Sequence, residues 1–458
     1  MPDKTVDRLT SYATSLRFED LPPEVVHQAK RVLVDSMGCG IGAFTAEPSR
    51  IARELASTVR GELEATVLGT QIRTSPDLAA FANGVMVRYL DFNDAYLSSH
   101  PSDNFGPVLA AAEASGASGR DLLTGCVLAY EVQCAWADTF PLREGPWDQA
   151  VYSAISMPLG AGKVMGLSQD QLAEALRIAI VGGIALAQAR RGSISHWKAA
   201  AVPNTGRNGI FAAMLARRGF TGPEEIFAGQ QGFFTSVTRI PVELAPLAGE
   251  DSNSQPFRIL ESRIKRFPAG IFSQTAVEGA LEAREQLGIS AARDVRRVQI
   301  RTFEHAVFSM AGHPSRWRPE TRETADHSIP YVVACALHYG SVQPAHFSDN
   351  MLRAPQVVEL MQKIAVDLDA ECEAAWPDAN LSIVSVEAQD GREHTAHVPY
   401  HLGHARRPVG DKDIEAKFRG LAAGLLTDDQ QAAALDALWH VDECDDLKEL
   451  LARLVVVV

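Results

Sequence analysis

The sequence is poor in cysteine, in surplus positive charge and in long uninterrupted apolar segments, and each shortage excludes a class of protein. The six cysteines form no CxxC pair and most lie inside apolar runs. They are therefore interpreted as free buried thiols in a reducing compartment, without an iron–sulfur ligand pattern. The net charge of -14 argues against nucleic acids and anionic membranes as partners. It leaves an anionic substrate open, because a site needs only a few local cations.

Signals for membrane insertion, export and several common catalytic sites are also missing. The longest apolar helix candidate, residues 172–189, is interrupted by Glu174, Arg177 and a glycine pair, so we interpret it as a buried core helix. The first residues, MPDKTVD, contain no apolar core of a secretory signal, which predicts a cytoplasmic protein. We find no dinucleotide-binding GxGxxG fingerprint, Walker loop, GxSxG elbow or HExxH pair.

The chain has 458 residues, 46% of them hydrophobic, which is enough for two domains. The first half predicts one helix after another. Ser75 is expected to cap a helix that begins at Pro76, and Ser118 to open the next helix. Capping boxes are predicted at Ser168, Thr221 and Thr427, where a polar residue follows three positions later.

The pattern changes after about residue 258. Alternation of apolar and polar residues predicts strands over 295–302 and 381–388. A turn at 389–392 predicts a hairpin to a third strand over 394–400, and a helix is predicted over 329–339.

The expected fold is therefore mainly α, with an α/β lid. Residues 1–258 and 405–458, the two chain ends, are predicted to form one large helical domain. Residues 259–404 are predicted to form a smaller α/β lid domain inserted between them.

One segment concentrates polar chemistry. Asp91 begins a stretch of carboxylates, serines and asparagines that contains His100 and ends at Asn104. Ser102 to Asn104 are expected to cap a helix from about Phe105, and a helix start beside a histidine suits a substrate carboxylate. The alternative is an ordinary polar loop followed by a helix cap.

Three further positions could contribute charge or a proton. Lys198 could clamp an anion, and Lys265, near the proposed domain junction, could close over a ligand. Asp326 and His327 open an apolar helix and could act as an acid–base pair, although Asp326 is also a good N-cap. In isolation, an ordinary surface or capping role is the more common one for residues of these types. His394 and His397 are expected on opposite faces of a strand, which argues against a zinc site.

Together these segments resemble the MmgE/PrpD family over nearly the whole chain. The matching segments are 90–94 (LDFND), 100–104 (HPSDN), 265–268 (KRFP), 274–278 (QTAVE), Asp326-His327 with Tyr331, and 403–407 (GHARR). Their order and spacing match as well, and the HPSDN and GHARR runs look most like 2-methylcitrate dehydratases.

The resemblance implies a helical domain built from both chain ends, an inserted lid and a homodimer, without metal or other cofactor. It implies a small polycarboxylate substrate and places Asp91, His100, Lys198 and Lys265 at active-site positions. His327 and Tyr331 would lie close to others, as substrate-binding residues together with Ser102 and Asn104. Dehydration of 2-methylcitrate or citrate is the leading expectation, with cis-aconitate decarboxylation, epimerisation of an iminodisuccinate and mere carboxylate binding as alternatives.

Four positions depart from the family pattern. Ala95 stands where dehydratases have threonine, and Ser98-Ser99 where they have Trp-Gly. Phe272 and Gln149 stand where the pattern has histidines.

The hypothesis for the reaction is a metal-free β-elimination. Lys198, Lys265 and the helix start at Ser102 would hold the substrate carboxylates and stabilise charge on the adjacent carbon. His100 would remove a proton from that carbon, and Asp91 or a lysine would protonate the leaving hydroxyl.

Overall fold

Helices account for most of the computed structural model, which describes residues 3–142, 145–250 and 255–457. The helices up to residue 217 are α1 (Lys4–Ser15), α2 (Pro23–Gly42), α3 (Glu47–Ser57), α4 (Pro76–Tyr89), α5 (Phe105–Ser115), α6 (Gly119–Thr139), α7 (Ala150–Val164), α8 (Gln169–Gly183) and α9 (Trp197–Arg217). The later helices are α10 (Gln274–Leu287), α11 (Glu304–Met310), α12 (Pro314–Trp317), α13 (Arg322–Ala325), α14 (Ile329–Tyr339), α15 (Asp349–Leu352), α16 (Pro355–Met361), α17 (Ala370–Ala375), α18 (Asp411–Ala422), α19 (Asp428–Trp439) and α20 (Leu447–Ala452). The strands are β1 (Ala65–Thr66), β2 (Arg73–Thr74), β3 (Val295–Thr302), β4 (Ile364–Leu368), β5 (Ser382–Ala388) and β6 (Glu393–Val398).

Local capping signals set most of the predicted helix starts. The capping boxes predicted at Ser168 and Thr427 are confirmed, and Ser118 opens α6 with one as well. The prediction at Thr221 was wrong, because no helix begins there. The backbone N–H of Gly222 instead donates to the carboxylate of Glu174 on α8, at 2.6 Å. A tertiary hydrogen bond therefore takes the place of the local one.

The helical core contains both ends of the chain. Its buried apolar side chains run from Val6 to Ile264 and resume from Ile414 to Leu454. Within it, α4 and α9 lie so close that a Cβ on Gly84 would stand 2.9 Å from the Cβ of Pro203. This approach carries the C-terminal end of α4 to the N-terminal end of α9, where two of the predicted site residues lie.

A second apolar core surrounds a four-stranded sheet. The strand order is β4-β3-β5-β6, with β3 and β4 parallel and the other pairs antiparallel. The strands predicted from 295, 381 and 394 are confirmed as β3, β5 and β6, and the helix over 329–339 as α14. The second core draws almost all its buried side chains from 267 to 388. The mainly α fold with a small sheet is thus confirmed, whereas the domain bounds at 258 and 404 stay predictions.

The junction between the two cores is held by backbone contacts. Ala95 and Arg263 exchange two backbone hydrogen bonds of 2.9 and 2.8 Å, and Ile264 donates to the carbonyl of Gly403 at 2.9 Å. Gly403 has a φ of 100°, and a Cβ there would lie 2.0 Å from the carbonyl oxygen of Ile264. Only glycine fits this position, which fixes the segment that precedes Lys265.

The cysteines and the helix lengths bear on two predictions made from composition. Five of the six cysteines are buried and free, and Cys444 is partly exposed and free. Throughout the described ranges, no helix combines the length and the apolar character needed to cross a membrane.

Candidate active site

The site begins where α4 ends. Asp91 lies just beyond the last turn of α4, and its φ of 51° places it in the left-handed region, which aspartate tolerates better than most residues. Its backbone N–H still donates to the carbonyl of Arg88 at 3.1 Å. The chain therefore turns sharply here, and the carboxylate of Asp91 is fully buried between the two cores.

Three cations surround the carboxylate of Asp91. The Nζ of Lys198 on α9 lies 2.9 Å from Oδ2. The Nζ of Lys265 donates to Oδ1 and also, at 2.9 Å, to the Asp91 carbonyl oxygen. Arg88, one turn earlier on α4, places Nη1 3.0 Å from Oδ1. The structure thus brings Asp91, Lys198 and Lys265 together from three distant parts of the sequence.

A second buried carboxylate extends this cluster. Asp326 accepts a hydrogen bond from Nζ of Lys198, so one ammonium group bridges two carboxylates. His327 places Nδ1 2.7 Å from Oδ1 of Asp326 and 3.3 Å from Oδ2 of Asp91. Because a carboxylate only accepts, Nδ1 of His327 carries the proton and its Nε2 is left to accept. The predicted pair of Asp326 and His327 therefore joins the other site residues.

The charges in the cluster fix the protonation states. Burial alone raises the pKa of Asp91, but Arg88, Lys198 and Lys265 outweigh it and hold that pKa well below its usual range. Burial lowers the pKa of Lys265 to about 8, although Asp91 opposes the shift. Asp91 is therefore ionised at neutral pH and has no proton to give. This environment argues against Asp91 as the general acid, and its catalytic role stays a prediction.

His100 has the geometry of a general base. Its Nδ1 lies 2.6 Å from the backbone carbonyl oxygen of Asp94, which can only accept, so Nδ1 carries the proton. Nε2 then presents a lone pair, 3.9 Å from Oδ1 of Asp91. Burial, followed by Arg88 and Lys265, lowers the pKa of His100 well below 6.5. The imidazole is therefore neutral at physiological pH, with Asp91 placed to stabilise an imidazolium.

A small cavity of about 140 Å³ opens onto this cluster. This volume is below the range of about 300–1,000 Å³ typical of drug-sized ligands, which favours a small substrate. His100, His327 and three arginines, Arg88, Arg190 and Arg191, line the cavity. The opposite wall is apolar and includes Phe272 and Phe308. Asp91, Lys198 and Lys265 lie behind this lining, at 2% exposure or less.

Arg88 and Arg191 are the cations of the lining with spare hydrogen-bonding capacity. Arg88 is 1% exposed and forms ion pairs with Asp91 at 3.0 Å and with Asp103 at 3.7 Å, but none of its three guanidinium nitrogens makes a well-directed hydrogen bond to a described residue. Arg191 lies over the ring of Phe308, with no carboxylate within 4 Å among the described residues. Arg190, by contrast, is engaged by Asp148, at 2.5 Å. A buried guanidinium with unused donors is a ready partner for a carboxylate.

Three predicted substrate-binding residues lie outside the cavity lining. The hydroxyl of Ser102 accepts a hydrogen bond from Asn93 at 2.8 Å. Asn104 donates to Gln133 and Pro101. Tyr331 donates to the backbone carbonyl of His346 and is fully buried in the second core. Their role in binding substrate stays a prediction, but each side chain already has a structural partner.

Two predictions of side-chain caps near the site were wrong, although α5 begins at Phe105 as expected. Residues 101–104 form a short 3₁₀ turn that runs directly into α5, and Asn104 makes no side-chain cap. Ser328, and not Asp326, caps α14 through its hydrogen bond from the N–H of Tyr331. Both polar side chains serve tertiary contacts instead.

The sequence interpretation missed Arg88, although a signal for it exists. Arg88 and Asp91 are three residues apart at the end of a predicted helix, a spacing that puts both side chains on one face. Arg190 and Arg191 were not among the predicted site residues, and nothing local indicates that their loop folds over the cavity.

Asp91, Asp326 and His327 also have the composition of a metal site. One donor atom of each lies within 4.8 Å of the others. However, the ammonium group of Lys198 already contacts both carboxylates, where a metal ion would need to sit. The donor set therefore fits an internal lysine counter-ion better than a divalent metal, and the absence of a metal stays a prediction.

Two more carboxyls lie buried beneath His100, and they give a pH-dependent prediction. Burial raises the pKa of Asp94 to about 6 and that of Asp103 to about 7. A raised pKa in the folded state means that stability is full below the unfolded pKa of about 4 and is lost as pH rises through the folded pKa. For Asp94 this loss is about 3 kcal/mol between pH 4 and 7.

The Asp94→Asn variant should therefore gain stability relative to the wild type as pH rises over that window. Urea unfolding at several pH values measures the difference. The substitution also changes the contacts of residue 94 with Tyr130 and Ser102, but this adds a constant to the stability difference and does not alter its dependence on pH. Parallel stability curves for the two proteins would contradict the burial argument.

The whole chain was then compared with known proteins. The model of the MmgE/PrpD N-terminal domain matches residues 7–243, and that of the MmgE/PrpD C-terminal domain matches residues 267–442. The chain belongs to the MmgE/PrpD family. It is 28% identical to a human cis-aconitate decarboxylase over 97% of this chain and 94% of that protein. It is 30% identical to a 2-methylcitrate dehydratase of Salmonella typhimurium over 95% of this chain and 93% of that protein.

Three of the four departures from the MmgE/PrpD pattern lie at the cavity. Ser98, Gln149 and Phe272 all line it, whereas Ala95 is buried at the junction. Phe272 packs edge-on against His305 and Phe303, with ring centroids 4.9 and 5.5 Å away. An apolar aromatic wall thus stands where the family pattern has a histidine.

Proposed function

We propose that this MmgE/PrpD protein is a lyase that removes water from a small polycarboxylate, with 2-methylcitrate or citrate as substrate. The observation that carries the proposal is the shared cavity of Arg88 and His100. A buried guanidinium with unused donors and a neutral imidazole with a free Nε2 face the same small space. One binds a carboxylate, and the other removes a proton from the carbon beside it.

Arginines, in place of the lysines first considered, are proposed to hold the substrate. Lys198 and Lys265 are occupied by Asp91 and Asp326 and lie behind the cavity lining. Arg88 and Arg191 reach the cavity with free donors, and a guanidinium binds a carboxylate through two parallel hydrogen bonds. Neutralising that carboxylate lowers the cost of charge on the adjacent carbon.

In the proposed elimination, His100 both accepts the proton from the substrate and returns it to the leaving group. Nε2 takes the proton from the carbon next to the bound carboxylate, and the C–H electrons form the new double bond. The C–O bond breaks, and the leaving hydroxyl takes the same proton from the imidazolium and departs as water. Asp91, 3.9 Å away, stabilises the imidazolium in between. The groups first considered as proton donors, Asp91 and the two lysines, lie behind the cavity lining, whereas His100 reaches the cavity.

A decarboxylase acting on cis-aconitate is the second candidate. It is favoured by the 28% identity to the human cis-aconitate decarboxylase over almost the whole chain. The same arginine would then stabilise the carbanion left by CO₂, and His100 would have to enter that reaction as the imidazolium, so that the proton on Nε2 passes to the carbanion and leaves the neutral ring.

A panel of substrates distinguishes the candidates. Purified, chelator-treated protein would be incubated with 2-methylcitrate, citrate, cis-aconitate and iminodisuccinate, and products followed by mass spectrometry. Loss of water from a hydroxy acid supports the proposal, and chelation should leave the rate unchanged. Loss of CO₂ from cis-aconitate would move the assignment to the decarboxylase. Epimerised iminodisuccinate, or binding without turnover, would overturn the lyase proposal.

The pH profile of kcat/KM gives a separate prediction. Because the pKa of His100 is well below 6.5, the base should stay active down to pH values below 6.5. The alkaline limb should lie near pH 8, where Lys265 loses its proton and Asp91 loses a counter-ion. The Lys265→Arg variant should move that limb to higher pH. An acid limb at 6.5, or an alkaline limb unchanged in the variant, would contradict these assignments.

We also propose that the protein is a homodimer. The neighbouring helices α8 and α9 leave Val181, Trp197 and Phe211 at 65, 50 and 52% exposure. Large apolar side chains exposed on adjacent elements are typical of subunit interfaces. Light scattering after size-exclusion chromatography should give twice the chain mass of 49.5 kDa. A monomer at micromolar concentration would contradict it.

A further inference from the structure

A second cavity, of about 350 Å³, lies next to the first one. The two cavities share Ser98, Leu142 and His305 as a common wall. The proposed elimination does not use the second cavity. Its lining contains two arginines, Arg263 and Arg406, and His404.

Arg263 is a buried guanidinium with weak partners. It is 8% exposed, and its two hydrogen bonds to described residues, with Asn380 Oδ1 and the Pro377 carbonyl oxygen, are both 3.5 Å long. In the ranges that the structure describes, no carboxylate oxygen lies within 4 Å of it, although Glu261 and Asp378 are near enough to influence it. A buried cation without a close counter-ion is costly, and an incoming anion would remove that cost.

His404 adds a buried donor. Its Nδ1 accepts a hydrogen bond from the backbone N–H of Arg406 at 3.1 Å, so the proton of the neutral ring is on Nε2. That Nε2 is buried and has no hydrogen-bond partner among the residues that the structure describes. Burial, followed by Arg263, lowers the pKa of His404 to about 3, so the ring is neutral at physiological pH. The cavity therefore contains an unsatisfied N–H donor beside an unpaired guanidinium.

The mouth of the cavity carries both signs of charge. Arg406 is exposed and held over the ring of Tyr400, with Nη1 2.6 Å from the hydroxyl. Of the lining carboxylates, Asp138 is paired with Arg258 at 2.6 Å. Glu261 and Asp378 are exposed and therefore screened by solvent. The buried part of the cavity is cationic, and the acidic part is at its rim.

We propose that this second cavity binds a small oxyanion, either a carboxylate or inorganic phosphate. Arg263 and Nε2 of His404 would donate to it from the back, and Arg406 from the mouth. The proposal does not depend on the elimination, because it concerns binding at residues that the reaction does not use. Through the shared wall at His305, an occupant there would lie directly beside the first cavity.

The test follows His404 itself. The protein would be labelled with ¹³C at the Cε1 position of histidine, and the His404 signal would be assigned by its loss in the His404→Gln variant. Phosphate or citrate would then be titrated into the labelled protein, with chloride at equal ionic strength as the control. We expect a saturable shift of the His404 signal, and the anion that produces it identifies the source. Arg406→Gln should weaken the apparent affinity roughly tenfold, and Arg263→Met should abolish the shift.

Arg392→Gln, which changes an exposed arginine in the β5–β6 hairpin, is the matched control and should bind like the wild type. If the Arg263→Met variant does not fold, the anion affinity of the Arg406→Gln variant alone tests the proposal. A His404 signal that neither anion moves would overturn the proposal. So would a shift that saturates equally in Arg406→Gln and in the wild type. Loss of turnover on the substrate panel, by contrast, would leave this result unaffected.

Discussion

The His100→Asn variant should lose about 10²–10⁴-fold in kcat, the usual contribution of a positioned general base. Asparagine keeps an N–H that can donate to the carbonyl of Asp94, as Nδ1 of His100 does, so the loop should hold its shape. What is lost is the acceptor at Nε2. Because Arg88 remains to bind the carboxylate, KM should change much less than kcat.

Steady-state kinetics on the substrate found with the panel would measure this effect. His397→Asn is the matched control, since His397 is exposed on β6 and distant from the cavity lining. The control should keep wild-type kinetics. A His100→Asn enzyme with kcat within a few fold of wild type would remove His100 from the mechanism.

The Lys198→Met variant should be less stable by about 3–5 kcal/mol, the usual effect of breaking a buried ion pair. Lys198 is 2% exposed and bridges the carboxylates of Asp91 and Asp326, both fully buried. Methionine fills a similar volume but leaves Asp326 with His327 as its remaining close partner in the cluster. The cost therefore comes from an uncompensated charge and not from a cavity.

Chemical denaturation would measure the change in the free energy of unfolding. Lys412→Met changes an exposed lysine on α18 and should shift stability by no more than about 0.5 kcal/mol. Adding Asp326→Asn to Lys198→Met removes the stranded charge and should restore part of the loss. A Lys198→Met protein as stable as the wild type would show that Lys198 does not neutralise these two carboxylates.

Local signals were sufficient for much of the fold. Ser168 and Thr427 open helices because the hydrogen bonds that cap them come from residues three positions away. The alternation in β3 survives because one face of the sheet is buried. The helix predicted to begin at Thr221 is absent because the backbone N–H of Gly222 donates a hydrogen bond to Glu174. This partner is 48 residues away, and no local pattern reveals it. Strand β4 was missed, although Ile364, Val366 and Leu368 alternate.

The candidate site, like the fold, could be predicted only in part from the sequence. Family resemblance indicated Asp91, His100, Lys198 and Lys265, and the structure gathers them into one cluster. The family resemblance could not show that the two lysines lie behind the cavity lining while Arg88 and Arg191 reach the cavity. That distinction depends on which side chains Asp91 and Asp326 already engage, which is a property of the packed core.

The exchange of hydrogen for deuterium tests the central claim most directly. The claim is that His100 takes a proton from the carbon beside a carboxylate held by Arg88. In deuterated buffer, NMR would follow deuterium entering that position of the hydroxy acid as the elimination and its reverse, rehydration by D₂O, approach equilibrium, with wild type and His100→Asn in parallel. The account predicts incorporation with the wild type and almost none with the variant. Incorporation at the same rate in both would contradict it.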